Sequence, residues 1–267
     1  MSKDSNAYAK SLRLLTYNIQ AGTTTENYSE YVTRSWRQVL PHAQRVSNLD
    51  TMAQTLSDYD LVGLQEIDPG SLRSGFLNQV KYLAERAGFP YWSHQANRKV
   101  GNIAKTGNAL LTRIRPEMVV DHRLPGMIKG RGALLAQFGE ADVGLTVVIV
   151  HLSLRRRARA SQFEFLADLI YQRRHVIVMG DMNSATDSPE MNSFVQASQL
   201  HVPEAAEHTF PSWRPERGID HILVSDGLSV HDIQVLDISV SDHRPVAMDV
   251  ELPSGCLIPA LEKPRAS

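Results

Sequence analysis

The sequence predicts one mixed α/β domain. Short apolar, β-branched runs alternate along the chain with stretches whose apolar residues recur at helical spacing. No linker, internal repeat or low-complexity block divides it. With 267 residues, 42% of them hydrophobic, it can bury one extensive core. The domain is expected to span residues 12–252, with 1–11 and 253–267 as loosely held tails.

Residues 12–17 form an apolar-rich run that predicts a strand ending at Asn18. Residues 28–41 are polar with scattered aromatics, Tyr28, Tyr31 and Trp36 among them, and read as loop and short helix. Val46, Leu49, Ala53 and Leu56 predict an amphipathic helix over 42–57. Residues 61–65 read as a buried strand delivering Glu66 at its end. Phe76, Leu77, Val80, Leu83 and Ala84 make a second helical stripe, stopped by Gly88 and Pro90. Strands are expected at 109–111, 133–138 and 145–150. The last reads Leu-Thr-Val-Val-Ile-Val, as in a strand covered on both faces. Phe163, Leu166 and Ile170 mark a third helix. Strands at 176–179, 222–224 and 246–250 complete the pattern.

Charge is balanced, 28 Lys+Arg against 29 Asp+Glu, which gives no global pull towards nucleic acid or an anionic membrane. The one cysteine, Cys256, excludes an internal disulfide and an intramolecular thiolate zinc site. The first ten residues lack the apolar run of a signal peptide. No stretch approaches the roughly 20 apolar residues that span a bilayer. These features predict a soluble cytoplasmic protein with no protein partner evident.

The most informative pattern lies at the strand ends. The predicted strands terminate in Asn18, Glu66, His151 and Gly180-Asp181, with Asn183 two residues on. Asp220-His221 opens one strand and Asp242-His243 precedes the last. Each has an ordinary alternative: a loop acid, a turn, a cap, a satisfied core histidine. Together they form a set rich in oxygen donors, suited to Mg²⁺ or Mn²⁺ rather than structural zinc. Histidines beside them suit proton transfer, and rigid strand ends can hold such groups within catalytic tolerance.

These residues sit in an ordered series of motifs. They are Leu14-Leu15-Thr16-Tyr17-Asn18, Asp60-Leu61-Val62-Gly63-Leu64-Gln65-Glu66 and Gly107-Asn108-Ala109-Leu110-Leu111. Val150-His151-Leu152, Gly180-Asp181-Met182-Asn183, Ile219-Asp220-His221-Ile222 and Ser241-Asp242-His243-Arg244-Pro245 follow. In order and spacing the series resembles the endonuclease/exonuclease/phosphatase superfamily. That superfamily includes deoxyribonucleases, abasic-site endonucleases, inositol polyphosphate 5-phosphatases and sphingomyelinases.

The resemblance implies an α+β fold: a four-layer α/β/β/α sandwich with two packed mixed β-sheets. It implies a metal-dependent phosphoric ester hydrolase using Mg²⁺ or Mn²⁺. It assigns Glu66, Asn18 and Asp242 to the metal, and Asp181, Asn183, His243, Asp220 and His151 to catalysis. Asp181 and Asn183 would position water and phosphate, Asp220 would orient His243, and His151 would contact phosphate. Either Asp181 or the His243–Asp220 pair would act as base. Abasic-site endonucleases carry an acid two residues after the asparagine; Gln20 stands there in this chain, against that specialised activity.

The substrate is read less sharply. Arg155, Arg156, Arg157 and Arg159 form either a solvated charge run or a basic lip beside the phosphate site. Arg131, between two glycines, and Asn108 are further substrate-binding candidates. The expected partner is a phosphate ester, of nucleic acid or a related diester. The alternatives are a phospholipid or inositol-phosphate headgroup, or a non-catalytic phosphate-binding protein on the same scaffold.

Overall fold

The computed structural model describes residues 8–22, 42–100, 104–126, 130–203 and 208–262. The segment carrying Tyr28, Tyr31 and Trp36 lies outside the described residues.

Strand β1, Ser11–Asn18, sets the logic of the fold. Its side chains alternate between two apolar layers: Leu12 and Leu14 enter one, Leu15 and Tyr17 the other. Helix α1, His42–Leu56, runs back outside the sheet and delivers β2, Leu61–Ile67, parallel to β1. Helix α2, Gln79–Ala87, follows, with Asn78 accepting from Lys81 N–H at its N-terminus and left-handed Gly88 ending it. The expected helical stripe therefore begins too early. Phe76 lies in the preceding loop at φ 63°, outside the helix.

β3, Tyr91–Val100, and β4, Ala104–Thr112, extend the first sheet. β5, Met118–Arg123, β6, Gly132–Phe138, and β7, Leu145–His151, begin the second. Helix α3, Arg156–Ile170, connects β7 to its parallel neighbour β8, His175–Asp181. Helix α4, Pro189–Ser198, and the short β9, Leu200–His201, lead to β10, Asp220–Ser225. β11, Ser229–Val235, and β12, Val246–Glu251, return to the first sheet.

The result is two mixed six-stranded sheets. The first has the order β11-β12-β1-β2-β4-β3 and the second β5-β6-β7-β8-β10-β9. An apolar slab fills the space between them, including Leu14, Leu61 and Leu110 from one sheet and Ile149, Met179 and Ile222 from the other. Gly63 lies at a close approach of the sheets: a Cβ there would stand 2.8 Å from Met179 Cε. A second apolar layer joins α1 and α2 to the first sheet, and a third joins α3 and α4 to the second. This is the expected four-layer sandwich.

The strands invisible to apolar patterning are β3, β5, β9 and β11, the four sheet edges. An edge strand covered on one face needs no continuous apolar run. Residues 253–262, expected to hang loosely, instead pack against the sandwich. Cys256 and Ile258 are buried in the inter-sheet slab. Leu257 N–H donates to Val143 O at 2.7 Å, and Ala9 N–H donates to Ile258 O at 3.2 Å.

Candidate active site

Strand register assembles the site. Across the second sheet His151 pairs with Asp181, and Asp181 pairs with Asp220. The three side chains therefore stand in one row at the end of β7, β8 and β10. By the two-residue period they share the face of Ile149, Met179 and Ile222, so they close one end of the inter-sheet slab. In the first sheet Asn18 shares the face of Leu12 and Leu14 and meets this row: its Nδ2 donates to Asp181 Oδ2 at 3.0 Å. His151 Nε2 lies 3.3 Å from the same oxygen.

The loop before β12 supplies His243. Its Nδ1 is 2.8 Å from Asp220 Oδ2 and its Nε2 is 3.8 Å from Asp181 Oδ2. Asp181, Asp220 and His243 each offer a ligand-type atom, all within 4.8 Å of one another. The other oxygen of Asp181 accepts from Asn183 N–H at 3.0 Å. Asn183 holds φ 51°, and its Nδ2 donates to Leu152 O at 3.1 Å.

Glu66 reaches the site by a backbone irregularity. Alternation along β2 would send it to the helix face with Val62 and Leu64. The register of β2 against β4 shifts between Leu64 and Ile67, and Glu66 takes a left-handed φ of 56°. A bulge of this kind re-aims a side chain. Glu66 Oε1 consequently lies 4.0 Å from His151 Nε2. Asp242 is fixed by Ser241, whose hydroxyl is 3.3 Å from Asp242 Oδ1 and donates to Asn18 O at 2.7 Å.

Burial dominates the electrostatics of these groups. It pushes the Asp181 carboxyl up, with Asp220 adding to the effect against the opposing pull of His243. Asp242 is pushed up to about 6 by burial, with the negative charge of Glu66 contributing. Burial works against a charged His243, but the surrounding Asp220, Asp181 and Asp242 outweigh it and hold the ring well above its usual range. His151 is driven well below its usual range by burial and by the charges of Arg131 and His243, so it is neutral.

The expected substrate-binding residues are placed differently from one another. Arg131 lies close enough to act electrostatically on His151. Arg155 is exposed at the start of α3. Asn108 is fully buried; its Nδ2 donates to Gly132 O at 2.8 Å and so ties β4 to the other sheet. Its Oδ1 has no hydrogen-bond partner among the described residues. Two of the four arginines in the run share one carboxylate. Arg159 is buried against Glu190, and Arg156 reaches the same carboxylate at 3.1 Å.

A model of the Endonuclease/Exonuclease/phosphatase family matches residues 15–243, a span that contains every group in this cluster. The chain belongs to that family. A search of the curated proteins finds no match. Among solved structures the chain resembles an endonuclease/exonuclease/phosphatase from Beutenbergia cavernae, with 21% identity and a TM-score of 0.70 over 92% of this chain and 73% of that one. It also resembles the mannosyl-6-phosphatase of Bacteroides thetaiotaomicron, with 19% identity and a TM-score of 0.64 over 90% and 99% of the two chains. The human Nocturnin catalytic domain, solved with a bound sulfate, gives 18% identity and a TM-score of 0.62 over 91% and 93%. At these identities the structural likeness speaks for the fold.

Members of this family are generally metal-dependent phosphoesterases, and the donor set of this chain fits a hard divalent cation. Buried Asp242 and the re-aimed Glu66 repel one another, a cost that a cation between them would remove. Three neighbours of the cluster carried no role in the sequence reading. Ser241 links Asn18 to Asp242, as described. His221 is buried, with Nε2 2.7 Å from Ser184 O, and so steadies the turn that carries Asn183. The Phe210 ring packs on His243 with centroids 4.8 Å apart. His221 and Ser241 lie inside the quoted motifs, whereas Phe210 lies outside them and carries no comparable signal. Among the described residues no helix is long and apolar enough to cross a membrane.

Proposed function

We propose that the chain is a divalent-metal-dependent phosphodiesterase, and that the buried row of His151, Asp181 and Asp220 with His243 between two carboxylates is its hydrolytic centre. That arrangement carries the reading. Four carboxylates crowd the site, those of Glu66, Asp181, Asp220 and Asp242, with Arg131 and His243 as the nearby cations. A diester, with one negative charge, suits such surroundings better than a dianionic monoester.

The reaction is in-line displacement. Water oxygen forms the new bond to phosphorus, the ester P–O bond breaks, and the departing alkoxide takes up a proton. Asp181 orients the water and accepts its proton, since one carboxyl oxygen faces Asn18, His151 and His243 together. Asp220 fixes the His243 ring, which holds positive charge where the phosphate becomes more negative. Neutral His151 and the second amide proton of Asn183 hydrogen-bond the phosphate oxygens. Arg131 and Arg155 favour the anionic ester, and Asn108 positions the strand beside them.

Glu66, Asn18 and Asp242 would hold Mg²⁺ or Mn²⁺, which when bound offsets developing negative charge on the ester. His243, with Nδ1 2.8 Å from Asp220 Oδ2, is assigned the charge-holding role instead.

The test is hydrolysis of bis-(p-nitrophenyl) phosphate and p-nitrophenyl phosphate with Mg²⁺, Mn²⁺ or EDTA. The diester is expected to turn over faster, and EDTA to abolish the reaction. Asp181→Asn, His243→Ala and Glu66→Ala are each expected to lower kcat by about 10²-fold or more. Near-wild-type rates in Asp181→Asn and His243→Ala would overturn the assignment.

A further inference from the structure

Gln79 is the first residue of α2, and its side chain is fully buried. A buried amide needs partners for both its oxygen and its nitrogen. Gln79 finds them on two segments far apart in sequence. Its Oε1 accepts from Asp68 N–H at 2.9 Å, and its Nε2 donates to Ala21 O at 2.8 Å. Its main-chain N–H, one of those a helix start leaves without an intrahelical partner, donates to Asp68 O at 3.1 Å. One residue thus takes both backbone polar groups of Asp68 and reaches across to the other segment.

Each segment leaves a strand at a residue assigned to the metal. Ala21 stands three residues after Asn18, and Asp68 two after Glu66. Both exits bend sharply. Gln20, Ala21 and Gly22 hold φ 43°, 53° and 75° in succession, and Glu66 holds φ 56°. A left-handed backbone is unfavourable for each of these except the glycine, so each bend persists only while its surroundings hold it. The first bend bears directly on a ligand atom: Gln20 N–H donates to Asn18 Oδ1 at 3.2 Å. That oxygen keeps a second lone pair. Asn18 Nδ2 is a donor, already directed at Asp181, so Oδ1 is the atom of this side chain that can face a cation. Gly22 packs against the linking amide, since a Cβ there would stand 3.4 Å from Gln79 Nε2.

We infer that Gln79 is a positioning residue for the metal site: its one carboxamide ties the bend after Asn18 to the bend after Glu66 and so fixes the spacing of these two ligands. The inference rests on the assignment of the cation to Glu66, Asn18 and Asp242. It adds to that assignment a residue that acts only through the backbone behind two of the ligands. Groups behind the ligands hold them in the geometry the ion demands, and their loss commonly weakens binding about 10- to 100-fold. Mg²⁺ tolerates little departure from octahedral geometry, so the spacing of its ligands matters.

The experiment titrates the full chain with Mn²⁺, counting free ion by electron paramagnetic resonance. Beside it run the Mn²⁺ dependence of bis-(p-nitrophenyl) phosphate turnover and the urea midpoint. Gln79→Met keeps an unbranched side chain and removes both polar groups. Gln79→Asn keeps the amide but is one methylene too short to span both segments. Both are expected to raise the Mn²⁺ Kd of the folded protein about tenfold or more. The Mn²⁺ concentration for half-maximal turnover should rise with it, while kcat at saturating Mn²⁺ is retained. Arg113→Lys, which weakens contacts to carbonyls at two helix ends, is expected to lower the urea midpoint without moving the Kd. An unchanged Kd in both Gln79 variants overturns the inference, whatever their urea midpoints. A Kd raised as much in Arg113→Lys also overturns it, because lost stability then accounts for the effect. Glu66→Ala keeps the two readings apart. Binding lost there but unchanged in the Gln79 variants sinks the role of Gln79 and leaves the metal assignment standing. Wild-type binding that Glu66→Ala retains in full sinks both.

Discussion

At Gly180 the chain has no room for a side chain. Its φ is 146°, and a Cβ would stand 2.0 Å from Val150 O across the parallel β7–β8 pair. The following residue is Asp181, so the close approach that excludes a side chain also fixes the carboxylate against His151. Gly180→Ala is expected to destabilise the fold by about 4 kcal/mol or more, read as a lowered urea midpoint. Any folded fraction should show reduced diester turnover, because the shifted strand misplaces Asp181. Glu66 is the complementary case. The family resemblance marked it as a candidate metal-site acid, but its direction was not legible, since a two-residue period points it away from the site.

Among the elements, one buried arginine stitches two helix ends together. Arg113 Nε donates to Tyr59 O at 3.1 Å and Nη1 to Gly88 O at 2.9 Å, while Nη2 reaches Ser57 O at 2.9 Å and Ala87 O at 3.1 Å. It thereby satisfies carbonyls at and just beyond the C-termini of α1 and α2, where the helix dipole favours a cation. Its guanidinium also lies over the Phe89 ring, 4.7 Å from the centroid. Lysine cannot reproduce this fork. Arg113→Lys is expected to cost about 2–4 kcal/mol, measured by chemical denaturation, with turnover per folded molecule unchanged.

The α3–α4 pair is joined by Glu190, which accepts from Arg159 and Arg156. Burial alone would raise its pKa, but hydrogen bonds from its own backbone N–H and from Arg159, with the arginine charges, hold it below the ordinary 4.5. A depressed carboxylate stabilises the fold fully above its unfolded value and loses that contribution as pH falls through the folded one. The stability advantage of wild type over Glu190→Gln is therefore expected to be greatest near neutrality. It should shrink below about pH 4.5, as thermal melts across that range would reveal.

For the whole molecule, the sandwich leaves one end of its apolar slab closed by polar groups, and the proposed hydrolytic centre lies there. If Glu66, Asn18 and Asp242 hold the cation, the ion binds the folded chain and not the unfolded one. Mn²⁺ or Mg²⁺ at about ten- to hundredfold above its Kd should then stabilise the protein by about 1–3 kcal/mol. A melting temperature raised by the ion, restored by EDTA and insensitive in Glu66→Ala is the expected pattern. An equal rise in Glu66→Ala would place the ion elsewhere.

The sequence by itself determined the central strands, three of the four described helices, the family and the cast of polar residues. Strands buried on both faces are rich in apolar residues, and the family's motifs are short and ordered, so both leave local signals. Tertiary structure decided the rest. Edge strands β3, β5, β9 and β11 carry too little apolar pattern to declare themselves. For Arg156 and Arg159 the sequence left a solvated charge run and a basic lip both open, and it gave no sign of their shared partner Glu190. The bulge that turns Glu66 towards His151 depends on pairing with β4. The row of His151, Asp181 and Asp220 exists only through the register of three strands. Which charge finds which partner is a property of pairing between distant segments, and no local pattern in the chain encodes it.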